Sequence, residues 1–155
     1  MVGIEVLGKR LGDEILEVLR PMLDGEEKPL LYVAGHSLGG LMLRYALGYL
    51  HSLGVMEKVV PQTYMSICSP HLGVRAPSRV IWRSWINLAA ITGITNQQLV
   101  YEDSVDEPIL ATLADREKDY FKALALFESR IAIGVADYDT LVPTPTACIC
   151  LGTER

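Results

Sequence analysis

The 155-residue sequence has no excess of basic charge: 14 Lys and Arg stand against 19 Asp and Glu, for a formal net charge of −5. A nucleic-acid surface needs a basic patch or stripe to meet phosphates. Here the Lys and Arg residues are scattered, so nucleic acid is not expected as a partner. Cysteine is also scarce. Cys68, Cys148 and Cys150 are an odd number, and none forms a C-x-x-C pair or lies near a histidine at zinc-ligand spacing. They read as buried thiols in a reducing compartment, with no metal site. No stretch approaches the ~18 uninterrupted apolar residues of a membrane span. Met1 to Arg10 has no apolar run behind its basic residues, so it is not a secretory signal. Internal repeats and low-complexity tracts are missing too. The expectation is a soluble, cytoplasmic protein.

Half of the residues are hydrophobic and 21% are charged, the balance of a well-buried globular domain. The length suits a single domain over 1–155. From Ile4 to Leu23 the residues Val6, Leu7, Leu11, Ile15, Leu16, Leu19 and Leu23 recur at helical spacing. Leu30-Leu31-Tyr32-Val33-Ala34 is a short apolar run without alternation, which predicts a strand buried on both faces of a parallel sheet. Leu38 to Leu53 predicts a long helix stopped at Gly54. Thr63 to Cys68 predicts a second strand, ended by Ser69-Pro70.

Between Arg79 and Phe127 the patterns are helical: Val80 to Ile91, Gln97 to Tyr101, Ile109 to Ala114 and Tyr120 to Phe127. This is long for one crossover, so 79–127 is expected to be a helical insertion. Arg130 to Ala136 predicts a strand, and Ala147 to Leu151 one more. The fold class is therefore α/β, with three to four mainly parallel strands and flanking helices.

Gly35-His36-Ser37-Leu38-Gly39 lies between the first strand and the helix that follows it. A serine hydroxyl is a weak nucleophile until a base takes its proton, and its oxygen must stand clear of the backbone to reach a carbonyl carbon. A sharp strand-to-helix turn provides that exposure, and Gly35 and Gly39 are expected to omit side chains that would collide at the bend. The same turn aims the start of the helix at the reacting centre. There the Leu38 N–H can donate to an oxyanion.

In elbows of this kind the acid and then the base follow the serine in the chain. Asp139 occupies the acid position after the Arg130 to Ala136 strand, and Asp137 competes with it. Either can also be a plain turn residue. His36 is expected to pack or hydrogen-bond away from the nucleophile, and His51 to take a solvated or helix-terminal role. His71 lies at the end of a strand and can line the same cleft, but it precedes the acid. No histidine follows Asp139.

Three stretches together resemble one family: Gly35-His36-Ser37-Leu38-Gly39-Gly40-Leu41, Ser69-Pro70-His71-Leu72-Gly73-Val74 and Asp139-Thr140-Leu141-Val142-Pro143. They look like the lipase-like serine esterase domain of the α/β-hydrolase superfamily. Gly93 to Arg130, with Gln98-Leu99, Asp103 and Pro108-Ile109-Leu110, is similar to that family's insertion. The resemblance implies an esterase or lipase that acts on acyl esters or lipids without a cofactor, with Ser37 as nucleophile and Asp139 as acid. Family members begin several strands earlier, where a loop supplies a second oxyanion donor, and end with a histidine beyond the last strand. The expectation for this chain is thus a partial α/β-hydrolase fold whose base lies outside the sequence.

Three readings follow from these residues. One is an ester hydrolase of lipid metabolism working through a serine acyl-enzyme. The second is a catalytically incomplete fragment or pseudoenzyme that keeps the turn as a fold element and serves as a binding module. The third makes Trp82, Trp85, Ile86 and Ile91 a cap in peripheral contact with a membrane, against the plainer view that they pack on the sheet.

Overall fold

A computed structural model describes residues 2–74, 93–137, 139 and 141–150 of the chain. Helix α1 covers Ile4–Leu19 and passes into a single 3-10 turn at Arg20–Met22. Pro21 is the reason that regular helix stops short of the expected Leu23: it has no N–H for the helical ladder, and its ring crowds the preceding turn. Helix α2 covers Leu38–Ser52. The two helices meet through small residues as well as leucines. A Cβ on Gly8 would lie 2.6 Å from Tyr45 Cβ, and one on Gly12 would lie 2.7 Å from Tyr49 Cδ1. Two glycines four residues apart thus receive two tyrosines four residues apart, as neighbours on one helix face must.

Strands β1 (Leu30–His36), β2 (Val60–Ile67) and β3 (Ser129–Ile133) form one parallel sheet in the order β1-β2-β3. The register skips Gln62, because Leu31 pairs with Pro61 and Tyr32 with Thr63. Proline has no N–H for the ladder and is tolerated at such an irregularity. Beyond it the pairing is regular, and His36, Ile67 and Ile133 end the strands side by side. The segments that follow all three strands therefore leave from one edge of the sheet.

Leu31, Val33 and Tyr64 point into a core with Leu19 of α1, Leu43, Leu47 and Leu50 of α2, and Phe127. A second cluster joins Ile4, Leu41, Leu99, Ile109, Leu110 and Leu113. It links α1 and α2 to the helical residues 93–99 (α3) and to α4, Ile109–Ala114. Helix α5, Asp119–Ala125, leads into β3. Each fully buried leucine or phenylalanine side chain contributes about 1.5–3 kcal/mol, so these clusters fix the helices on the sheet.

Three expectations need correction. β1 is not buried on both faces: Leu30 is 59% and Tyr32 62% exposed, and on β3 Ile131 and Ile133 are also exposed. The described helices that touch the sheet pack on the Leu31, Val33 and Tyr64 face, and among the described residues nothing comparable covers the other.

The run from Ala147 is not a strand. Thr144–Ala147 forms a short helix, α6, with a proline in its first turn, and Ile149 at φ 55° takes a left-handed conformation that a strand does not allow. The cysteines are free, but Cys68 and Cys148 are half-buried and Cys150, just after α6, is exposed. The expected helix from Val80 to Ile91, with Trp82, Trp85, Ile86 and Ile91, lies outside the described residues.

Candidate active site

Ser37 occupies the single residue between β1 and α2. Its N–H continues the sheet by donating to the Ile67 carbonyl at 2.8 Å, and its own carbonyl accepts from Gly40 N–H at 3.1 Å in the first turn of α2. Between these bonds the backbone takes φ 52° and ψ −127°, a combination natural to glycine at the first central position of a type II′ turn. A serine at a helix start ordinarily caps the helix with its hydroxyl from an extended backbone. Here it does not: no side-chain cap bond is made. The half-buried Ser37 presents a hydroxyl that has no hydrogen bond to a described residue. Leu38 N–H belongs to the first turn of α2, whose donors have no partner within the helix.

The close approach at this bend comes from Gly35 and Gly40. A Cβ on Gly35 would lie 2.7 Å from the Gly40 backbone, and one on Gly40 would lie 2.1 Å from Ser69 Oγ. A Cβ on Gly39 would meet nothing within 4 Å. The expectation that Gly39 is sterically required is therefore corrected. Gly40, one residue on, faces the segment that follows β2, whereas Gly39 points into open space.

The segment after β2 begins with Cys68, also at positive φ (49°), whose N–H donates to the Ile133 carbonyl at 2.7 Å. It then turns at Ser69-Pro70 into His71. Gly73, at φ 73°, is pressed so close to the Leu99 carbonyl that a Cβ would stand 2.5 Å from it. Val74 N–H donates to the same carbonyl at 2.8 Å. The Thr146 hydroxyl accepts from Leu72 N–H at 2.9 Å and donates to the Gly73 carbonyl at 2.7 Å. The segments after β2 and β3 are thereby joined.

Asp139 lies in the segment after β3, on the same edge as Ser37. Its Oδ1 accepts from the Leu141 and Val142 N–H groups at 2.9 and 2.8 Å, and buried Val142 anchors that turn. Asp137 is exposed. Among the described residues, no hydrogen bond joins Ser37 to Asp139 or either of them to a histidine.

Each histidine is engaged elsewhere or exposed. His51 Nδ1 lies 2.7 Å from Asp119 Oδ1, roughly 21 Å along α2 from Ser37 at 1.5 Å per residue. His36 is exposed and has no hydrogen bond to a described residue, contrary to the expectation that it packs or is bonded. His71 is buried, with Nε2 2.8 Å from Ser66 Oγ and Nδ1 3.4 Å from Arg44 Nη1. Burial, and then the Arg44 charge, lower its pKa to about 4. The ring is therefore neutral at pH 7. Because an arginine can only donate, Nδ1 is the acceptor and Nε2 carries the proton that Ser66 receives.

Arg44 was not singled out in the sequence. It sits on the inward face of α2, 6% exposed, and its Nη2 donates to the Leu113 carbonyl at 2.7 Å. No carboxylate pairs with it among the described residues, and its Nε and the buried Ser69 Oγ have no hydrogen-bond partner there. Tyr64, beneath α2, donates to the Gly40 carbonyl at 3.0 Å. A cation within the apolar stripe Leu41, Leu43, Leu47 was the one available signal.

The family model described as Putative serine esterase (DUF676) matches residues 1–150, and the chain belongs to that family. It is 29% identical over 158 residues to the Schizosaccharomyces pombe protein named Putative lipase C4A8.10, across 95% of this chain and 20% of that protein. Two Saccharomyces cerevisiae proteins are similar. Putative lipase ROG1 is 29% identical over 95% of this chain and 21% of its own length. Putative lipase YDL109C is 30% identical over 91% of this chain and 21% of its own length.

The chain spans about a fifth of the length of the curated relatives it matches. No solved structure matches it. Three parallel strands flanked by helices are the α/β architecture of a partial hydrolase fold. No described helix is long and apolar enough to cross a membrane. Among the described residues no group of His, Cys, Asp and Glu is placed to hold a metal ion.

Proposed function

We propose that this chain carries the nucleophile, the first oxyanion donor and the acid of a serine hydrolase of acyl esters, lipids included. One observation carries the reading: Ser37 is held at φ 52° with its hydroxyl withheld from the helix cap it would otherwise make. Strain of this kind gathers where a side chain must be presented for chemistry. In the proposed reaction Ser37 Oγ bonds to the ester carbonyl carbon while its proton passes to a base. The oxyanion is received by Leu38 N–H, and on collapse the ester C–O bond breaks as the base passes that proton to the departing alcohol, leaving an acyl-serine that water hydrolyses. Asp139, on the same edge of the sheet, orients the base. The names of the relatives support a lipid or ester substrate.

A second reading rests on the histidines. Since neither Ser37 nor Asp139 is bonded to one among the described residues, the chain alone can be a binding module built on the same turn. A fluorophosphonate probe distinguishes the two readings. The expected result is a slow adduct at Ser37 that Ser37→Ala abolishes, because no histidine among the described residues is bonded to Ser37 and a triad without an engaged base forfeits most of its rate. A folded chain that gives no adduct at Ser37 after prolonged exposure would reject catalysis by this chain and favour the binding reading.

A further inference from the structure

We propose that Arg44 is a positioning residue that clamps two segments, the one after β2 and the end of α4, onto the helix that starts at Ser37. Three contacts carry this. Arg44 Nη2 holds the Leu113 carbonyl of α4 at 2.7 Å, and Nη1 faces His71 Nδ1 at 3.4 Å. His71 passes the tie on to Ser66 of β2 at 2.8 Å. Leu113 lies 69 residues and His71 27 residues from Arg44 in the chain, so one planar guanidinium joins three segments distant in sequence. The fork geometry of arginine suits two carriers at once, where a lysine ammonium is a single point charge.

The surroundings give the clamp a polarity. Among the described residues, the titratable groups that act on Arg44 and His71 besides each other are Tyr64 from β2 and Tyr101 after α3. His71 must stay neutral to accept from Arg44. A second proton on its ring would set donor against donor and charge against charge, releasing the segment after β2. The effect on catalysis rests on the reading of Ser37 as nucleophile, whereas the clamp itself does not.

The test is nitrogen NMR of the His71 ring, with amide exchange, on the whole chain. The wild-type ring is expected to carry its proton on Nε2 at pH 7. Below about pH 4, as it takes up a second proton, exchange at residues 72–74 should accelerate about tenfold beyond its intrinsic pH dependence. Arg44→Met should move the His71 titration up toward the ordinary value and speed exchange at 72–74 and 110–114 by at least tenfold, leaving β1 unchanged. Arg44→Lys should restore at most one of the two segments.

A His71 ring protonated on Nδ1, or a wild-type titration that leaves 72–74 unaltered, would overturn the clamp. An Arg44→Met chain that folds yet keeps its His71 signature would do the same, and so would exchange rising equally across the whole sheet. The wild-type titration decides the matter even where Arg44→Met fails to fold. Arg44→Lys should also slow fluorophosphonate labelling of Ser37 about tenfold with an altered pH profile. Absence of wild-type labelling would reject the hydrolase reading and leave the NMR outcome to judge the clamp.

Discussion

Replacing Ser37 by alanine and by glycine should have opposite consequences to those usual for a serine at a helix start. A capping serine changed to alanine costs about 0.5–2 kcal/mol, and changed to glycine only a few tenths. Ser37 makes no cap bond, so Ser37→Ala forfeits nothing of that kind and should stay within about 0.5 kcal/mol of the parent. The glycine variant removes a Cβ from a backbone at φ 52°, a strain on the order of 1–3 kcal/mol. Against this stands the greater unfolded-state freedom of glycine, about 0.5–1 kcal/mol. The net expectation is stabilisation by about 1 kcal/mol, or an increase of about 2–4 °C in Tm for a chain of this size.

Urea unfolding followed by circular dichroism measures both variants, with an unchanged slope as the check that the denatured state is the same. Ser37→Gly being less stable than Ser37→Ala would refute the claim that the position is strained. A loss of 1 kcal/mol or more in Ser37→Ala would show that the hydroxyl is a structural cap after all. Stabilisation on removing a serine that the chain nonetheless retains is the stability–activity trade expected of a functional position.

Gly35→Ala forces a Cβ to within 2.7 Å of the Gly40 backbone and should destabilise by about 3 kcal/mol. Gly39→Ala, entering open space in a helix, should stabilise by up to about 1 kcal/mol; thermal melts of the pair compare them directly. Asp139→Asn keeps an oxygen to accept from Leu141 and Val142 and should fold like the parent. Asp139→Ala should lose about 1–2 kcal/mol, while both variants lower Ser37 labelling if the charge orients a base.

His71, held neutral in the fold with its pKa lowered to about 4 from 6.5, gives the unfolded chain the greater proton uptake. Its contribution is fully present above pH 6.5 and is lost as pH falls from 6.5 to 4. The loss amounts to about 3 kcal/mol, and His71→Gln should flatten that part of a urea-midpoint profile against pH.

The alternation of strand and helix was legible because apolar periodicity changes where the backbone changes. Ile109–Ala114 is helical over the residues expected, and β1 and α2 start where they were placed. Burial was less legible. An apolar run such as Leu30 to Ala34 tells of apolar side chains on both faces of a strand, but whether a second layer covers them is decided by elements elsewhere. The last run failed for a local reason: Pro145 favours a helical first turn, and Ile149 then leaves the extended region altogether. Ser37, Asp139 and His71 were singled out by motif, yet the motif says nothing of what His71 touches. That depends on Arg44 and Ser66, and Arg44 reaches Leu113 across 69 residues of sequence.

The same distribution explains how the turn at Ser37 is sustained. A strained conformation persists only where its surroundings over-determine it, and the five residues from Gly35 to Gly39 supply few of the constraints. The Ser37 N–H is held by Ile67 and the Gly40 carbonyl by Tyr64. The backbone of Gly40 is wedged between Gly35 and Ser69. Two of those partners belong to β2 and one to the segment after it. Further along α2, Arg44 ties that same segment back through His71. The strain at Ser37 is thus balanced chiefly by the second strand and its exit, and a G-x-S-x-G string without them would relax toward an ordinary capped helix start.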